Sequence, residues 1–238
     1  MFNQFSLENL LINETPLYIK NFVDHPERLI SWSDVAACMN NPIAYNVELI
    51  DTNGCKVNLS KYDYAANKQS LFDGLSNGHG LIINEYGFYN EATNAFLNLF
   101  ETSFDVNCAI HVYCGLQGSK SFNIHCDSPH NFILQVEGRT RWKVYANRMN
   151  TLLDFHAGYP TFKMDESKLT TAIDVVLEPG DGLYIPPKVY HVAYPDQARI
   201  SISVPCWPRS KQQAPAVDRR YLQFSLLADA QRGNAADC

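Results

Sequence analysis

From about residue 106 the sequence breaks into short β-rich runs separated by residues that end strands, and this texture limits the fold more than any other feature. Runs rich in Val, Ile, Phe and Tyr cover 108–114, 121–126, 131–137, 139–145, 173–177, 182–185, 190–194 and 199–206. Gly118, Pro129, Gly138, Pro179-Gly180 and Pro186-Pro187 punctuate them. The runs are short for helices, and β-branched and aromatic residues suit the pleated, half-buried surface of a sheet. Eight such strands with Gly/Pro turns predict a mainly β jelly roll or barrel.

The flanks read differently. Residues 26–40 place Leu29, Ile30, Val35, Ala36 and Met39 near helical spacing, with Ser33 as the candidate cap. Residues 43–50 and 55–60 alternate like two strands around Asp51-Thr52-Asn53-Gly54. Residues 91–100 are a predicted helix with Phe96, Leu97 and Phe100 on one side. Beyond Pro208 the chain turns polar, and 215–230 reads as a helix that starts at Pro215 and carries Val217, Tyr221, Phe224 and Ala228 on a stripe. That helix either caps the barrel or pairs two copies into a homodimer. The expectation is one domain over 1–238, with additions at 1–105, the barrel core at 106–208 and the C-terminal helix within 209–238.

Hydrophobic residues make up 46% of the 238 and charged residues 18%, ample for a core. The net charge is −6, and the nearest thing to a basic cluster is Arg139, Arg141 and Lys143. That is too little to grip a phosphate backbone, so no nucleic-acid partner is expected. No apolar run approaches the roughly 20 residues a membrane span needs. The seven cysteines include no Cys-x-x-Cys, and the start, MFNQFSLENL, has neither a basic nor an apolar leader segment. Reduced thiols in a cytoplasmic protein are the expectation.

Chemistry concentrates at His125-Cys126-Asp127. On a strand, residues i and i+2 face the same way, so an imidazole and a carboxylate address one point. His191 is the natural third ligand. It closes the segment from Glu178, in which a Pro-Gly-Asp turn, a short apolar strand and a Pro-Pro bend aim the following residues inward. Two His and one carboxylate on one face of an ion leave three positions open, the arrangement of non-haem Fe(II) enzymes. A bare His-x-Asp is common on surfaces; the turn, the bend and the strand context single this one out. His111 and His130 read as packing or hydrogen-bonding residues, and His25, His79 and His156 lack any partner pattern.

With these residues in view, the chain resembles the JmjC/cupin-like family of Fe(II)- and 2-oxoglutarate-dependent oxygenases. The resemblance runs through His111-Val112-Tyr113, Gly118, Phe122, His125-x-Asp127, Asn131-Phe132 and the stretch Gln135 to Tyr145. It continues with Pro179-Gly180-Asp181, Pro186-Pro187, His191, Ser201-Ile202-Ser203-Val204 and Trp207. Pro16 to Phe22 and Trp32-Ser33-Asp34 look like the family's N-terminal region. The resemblance implies a double-stranded β-helix, the jelly-roll cupin barrel, with His125, Asp127 and His191 holding Fe(II). It also implies 2-oxoglutarate as cosubstrate, converted to succinate and CO2 while a C–H bond is hydroxylated. Tyr113 and Asn131 match positions that hydrogen-bond the 2-oxoglutarate carboxylates.

One position departs from the family. A Lys or Arg often supplies the charge for the buried carboxylate from the strand after the glycine at 138, and here Thr140 stands there. Strand parity makes the absence real: Thr140, Trp142 and Val144 share one face, and Arg139, Arg141 and Lys143 the other. Arg199, in Arg199-Ile200-Ser201, resembles the device of other 2-oxoglutarate oxygenases, and its guanidinium forks onto a carboxylate with Ser201 adding a third bond. Two expectations stand side by side: Arg199 takes the charge role with help from Thr140 and Tyr113, or it is a loop-end arginine paired with Asp181 or Asp196.

The leading expectation is a hydroxylase acting on a peptide or protein side chain, with a small molecule as the other substrate class. Two alternatives stand beside it: a cupin doing non-oxidative metal chemistry, and a catalytically silent binding module, which Thr140 keeps open. Loops 63–80 and 146–171 are expected to line the entrance. Tyr159, Phe162 and Trp207 are either contact residues there or core aromatics.

Overall fold

The structure is a computed structural model and describes residues 7–42, 45–57, 64–149 and 164–209. Twelve strands occur among them: β1 (Leu17–Ile19), β2 (Val47–Ile50), β3 (Lys56–Val57), β4 (Gly80–Ile83), β5 (Val106–Cys108), β6 (His111–Gly115), β7 (His130–Glu137), β8 (Thr140–Arg148), β9 (Thr171–Leu177), β10 (Gly182–Ile185), β11 (Val189–Pro195) and β12 (Arg199–Pro208). The helices are α1 (Leu7–Asn13), α2 (Trp32–Asn40), α3 (Tyr64–Ser76) and α4 (Glu91–Phe104).

The strands form two antiparallel sheets. The large one runs β1-β10-β7-β12-β6-β4-β2-β3, with β5 also paired to β12; the small one runs β11-β8-β9. A bridge from His125 to His191 adds a fourth position on the outer edge of β11. Two four-position walls therefore face each other, β10-β7-β12-β6 and the 125 bridge-β11-β8-β9, as a jelly roll requires.

The central strands are buried on both faces, which is why β7 is buried at seven of eight positions and does not alternate apolar with polar. Phe132 and Leu134 point to an outer core beneath the helices, where Phe100 packs against Phe104 and Phe132 at ring distances of 4.3 and 5.0 Å. Each such ring removed from water stabilises the fold by about 2 kcal/mol. Ile133 points between the sheets, among Trp142, Val144, Leu183, Ile185 and Val189. The same inner face of β7 and β12 carries Asn131, Gln135, Arg199, Ser201 and Ser203, all buried. An apolar sheet with one polar stripe facing inward is the framework of a site.

Gly138 sets the depth of that stripe. It turns β7 into β8 at φ +69°, and a Cβ there would sit 2.1 Å from the Ala198 carbonyl oxygen and 3.1 Å from Arg199 Cα. Only glycine lets the turn lie against the start of β12.

Several expectations need correction. Residues 121–126 do not form a strand; only His125 makes a bridge. The polar segment instead follows other partners, with Lys120 N–H bonded to the Gly78 carbonyl (3.2 Å) and the Asn123 amide to the Asn53 carbonyl (2.7 Å). The run at 108–114 divides into β5 and β6: Ala109 N–H still bonds the Pro205 carbonyl at 3.2 Å, but the Ile110 carbonyl accepts from Tyr86 N–H at 2.8 Å. The cap of α2 is Ser31, not Ser33: Asp34 accepts from the Ser31 N–H at 2.8 Å and from its hydroxyl at 2.7 Å, so the helix starts two residues earlier. The stretch 63–80 is mostly α3 rather than a loop, held by buried Leu71 with Leu75 one turn on. Cys38, Cys108, Cys114, Cys126 and Cys206 are free thiols, but Cys55 is disulfide-bonded, a pairing that cysteine spacing does not signal. The helix expected at 215–230, and with it the dimer contact, lies outside the described residues. No helix among the described residues is long and apolar enough to cross a membrane.

Candidate metal centre and its cavity

His125 and His191 are locked opposite each other by reciprocal backbone bonds, 3.1 Å from His125 N–H to the His191 carbonyl and 2.8 Å in return. Directly opposed residues on antiparallel chain project to one side, and the two rings lie 4.3 Å apart. Lys188 N–H bonds the Asp127 carbonyl at 2.7 Å and draws the carboxylate toward them. One ligand atom from each of His125, Asp127 and His191 then falls within 4.8 Å of the others, the only such grouping of His, Cys, Asp and Glu found among the described residues.

The surroundings prepare these groups for a cation. His125 Nδ1 lies 2.7 Å from the Asn123 carbonyl and His191 Nδ1 2.9 Å from the Val189 carbonyl. A carbonyl only accepts, so each Nδ1 carries the proton and each Nε2 presents a lone pair to the centre. Burial, and then the neighbouring His191 ring, hold His125 down to about 4, so it is neutral at ordinary pH. Burial pushes the Asp127 carboxyl up, but His191, His125 and the Asn131 amide outweigh it and the group titrates below the usual carboxylate range. The Asp127 Oδ2 lies 3.5 Å from His191 Nε2 and accepts from Asn131 Nδ2 at 3.2 Å. A neutral His125 beside an ionised Asp127 is the protonation state that metal binding needs. The donor set fits a divalent transition metal such as Fe(II), with two nitrogens and one oxygen on one side.

All eight residues singled out from the sequence line one cavity: Tyr113, His125, Asp127, Asn131, Thr140, His191, Arg199 and Ser201. Its two ends differ. The trio and Asn131 occupy one. At the other, Arg199 is 2% exposed and Thr140 is 1% exposed, and Arg199 Nη1 and Thr140 Oγ1 have no hydrogen-bond partner. The pairing of Arg199 with Asp181 does not occur, because Asp181 is taken by Tyr18 (2.9 Å), Lys20 (3.1 Å) and the backbone N–H of Asn21 and Glu178. Asp196 is exposed and makes no ion pair with it either. Burial lowers Arg199 to about 10, which leaves it charged. Tyr113 is raised, first by burial and then by Asp127 and Glu48, so its hydroxyl keeps its proton and can donate. A buried cation without a counter-charge is costly, and an anion placed there would relieve it.

Three participants carry no single-residue signal in the sequence. Ser203 donates to Asn131 Oδ1 at 2.8 Å, and Ser201 donates to Gln135 Oε1 at 3.0 Å, so the β7–β12 register orients both amides. Trp142 brings an indole N–H with no partner. Period-two alternation places Ser203 and Trp142 on the inner face, but does not give their bonding.

Outside the trio a groove of about 830 Å³ reaches His125 and Phe122, which also line the inner cavity. Asn53, Lys120, Met164, Glu166 and Tyr194 line it as well. The expectation for 146–171 therefore holds at Met164 and Glu166, whereas the 53–55 turn and the 118–124 segment take the place expected of 63–80. Trp207 lies 39% exposed at the end of β12, opposite Asn107 on β5, outside the groove; Tyr159 and Phe162 are outside the described residues.

A model of the JmjC domain matches residues 87–214, more than half of the chain. Ribosomal oxygenase 1 of Gallus gallus is 28% identical over 184 residues, covering 71% of this chain and 29% of that protein. The bifunctional lysine-specific demethylase and histidyl-hydroxylase NO66 of Aedes aegypti is 41% identical over 75 residues, 32% of this chain and 12% of that one. Among solved structures, YcfD, a ribosomal oxygenase from Escherichia coli in complex with cobalt and 2-oxoglutarate, overlays with a TM-score of 0.63 at 20% identity, covering all of this chain and 59% of that one. That overlay shows the shared fold. The chain spans less than two thirds of the length of each of these proteins.

Proposed function

This chain belongs to the JmjC domain family, and from that premise we propose that it is an Fe(II)- and 2-oxoglutarate-dependent dioxygenase that hydroxylates a C–H bond of a peptide or protein side chain. The observation that carries the reading is the two-ended cavity. A facial set of His125, Asp127 and His191 stands at one end, and a buried guanidinium with an unpartnered Nη1 stands at the other. A five-carbon oxo-diacid has the matching polarity: a chelating oxo-carboxylate for the metal and a second carboxylate for Arg199. Fe(II) held by the trio would supply the redox chemistry that couples O2 and 2-oxoglutarate to C–H oxidation, with succinate and CO2 as the other products.

The chain's own residues have distinct tasks in this reading. His125 and His191 present Nε2, with Nδ1 fixed on backbone carbonyls. Asn131 orients the Asp127 carboxylate and is itself held by Ser203. Arg199, with hydrogen bonds from Thr140 and Tyr113, receives the distal carboxylate, and Ser201 steadies that wall through Gln135. A charge supplied from β12 makes a basic residue at 140 unnecessary, which removes the ground for a silent binding module. A protein or peptide substrate suits the open groove beside His125, and the relatives named ribosomal oxygenases point the same way. In the same reading, residues 1–105 and 209–238 flank a single barrel core at 106–208, in a cytoplasmic protein.

The test is turnover. Purified protein reconstituted with Fe(II) in air should convert 2-oxoglutarate to succinate, slowly alone and faster with substrate. Asp127→Ala should abolish it. Metal-loaded, folded protein that binds 2-oxoglutarate no better than glutarate and releases no succinate contradicts the reading.

A further inference from the structure

Trp142 is buried at 9% exposure, lines the cavity, and its Nε1 has no hydrogen-bond partner. Its position along the cavity follows from register. On β8, Thr140 lies opposite Pro195, Trp142 opposite Ala193 and Val144 opposite His191. Trp142 therefore stands one pleat repeat from the Arg199–Thr140 end and one from the level of His191. The ring itself leans to the metal end, 6.2 Å from the His191 ring and tilted by 32°.

The protein groups there leave nothing for the indole to bond. Both Nδ1 atoms face backbone carbonyls, and the Asp127 carboxylate is engaged by Asn131 and faces His191. Ile133, Ala193 and Val189, which share its cluster, are apolar, and no polar side chain of the cavity bonds its N–H. A buried N–H without an acceptor destabilises a fold, and phenylalanine would fill an apolar cluster without that defect. The donor has a use only if something polar occupies the cavity beside it.

We propose that Trp142 is a cosubstrate-binding residue, its indole N–H donating to the metal-side carboxylate of 2-oxoglutarate. The inference rests on the function proposed above and adds a second protein grip, at the opposite end of the acid from Arg199. A ligand that carries an oxygen acceptor at the metal satisfies the N–H; one that carries only the distal carboxylate does not.

The experiment is anaerobic calorimetry on Mn(II)-loaded protein, which reads binding and not activity. Wild type is compared with Trp142→Phe and with a variant carrying β-(3-benzothienyl)alanine at 142, which keeps the bicyclic shape and replaces N–H with sulfur. Both should bind 2-oxoglutarate at least about tenfold more weakly, as expected for a lost hydrogen bond to a charged group. Their Mn(II) affinity should stay within about twofold of wild type. If the benzothienyl protein binds both metal and 2-oxoglutarate as wild type does, the N–H makes no bond to the acid and the inference fails alone. If wild type itself does not bind 2-oxoglutarate, the proposed function fails first and takes this inference with it.

Discussion

Arg199 is held in a place where a cation has no reason to be unless an anion joins it. Its guanidinium is buried at the inner end of the cavity, Nη1 is unpartnered, and it remains charged although burial lowers it to about 10. Two opposite effects follow from one residue. Arg199→Ala should weaken 2-oxoglutarate binding by about a hundredfold or more, because the distal carboxylate would be left buried and unpaired, while iron content stays at one per chain. Arg199→Met should raise the melting temperature of the ligand-free protein, since it removes an uncompensated charge and keeps most of the volume. Calorimetry and thermal melts read the two, and an Arg199→Ala protein with undiminished affinity would transfer the charge role elsewhere. His111 gives a second signature, in pH. Burial, and then Lys56, hold it at about 4, below its ordinary 6.5. The unfolded chain thus takes up a proton between these values that the folded chain refuses, so stability is intact above about pH 6.5 and is lost as pH falls toward 4. His111→Gln should remove about 3 kcal/mol of that loss at pH 4, read as a shallower decline in urea midpoint; an identical decline would mean that His111 is proton-accessible in the native state.

At the scale of elements, the cavity depends on turns that hold strands at fixed depth. Gly138→Ala should destabilise the protein by about 3 kcal/mol, because an added methyl meets the Ala198 carbonyl and the backbone is at positive φ. It should also weaken 2-oxoglutarate binding more than metal binding, since the displaced strand start carries Arg199 and not the trio; equal losses would argue against that division. The same elements show what a sequence discloses. Period-two alternation identified the inner face of β8, Thr140, Trp142 and Val144, because burial on one side forces it. His125 and Asp127 come together, but not as neighbours on a strand. Residues 121–126 are not a strand, and the pair converges because His125 exchanges backbone bonds with His191. α3 was missed because its polar residues hide the spacing of Leu71 and Leu75. Ser203 and Gln135 were missed because their partners are set by the β7–β12 register, which includes a shift between Ile200 and Ser201 that no local pattern encodes.

At the scale of the whole molecule, two facing sheets leave one polar cavity with the trio at one end and Arg199 at the other, continuing past Phe122 into a groove of about 830 Å³. The fold follows from strand texture and the overlay on YcfD, and the family from the JmjC match. The substrate does not, because the groove residues Glu166, Met164 and Tyr194 come from loops and strand ends whose sequence carries no motif. The central claim is that His125, Asp127 and His191 hold one metal ion while other coordination positions stay open. Anomalous diffraction at the iron edge, from crystals grown anaerobically with Fe(II) and 2-oxoglutarate, tests it directly. The expected result is a single strong peak about 2.0–2.2 Å from Nε2 of both histidines and from an Asp127 oxygen, with the cosubstrate completing the sphere and its far carboxylate on Arg199. A peak away from these three side chains, or none in crystals of folded protein, would contradict the account.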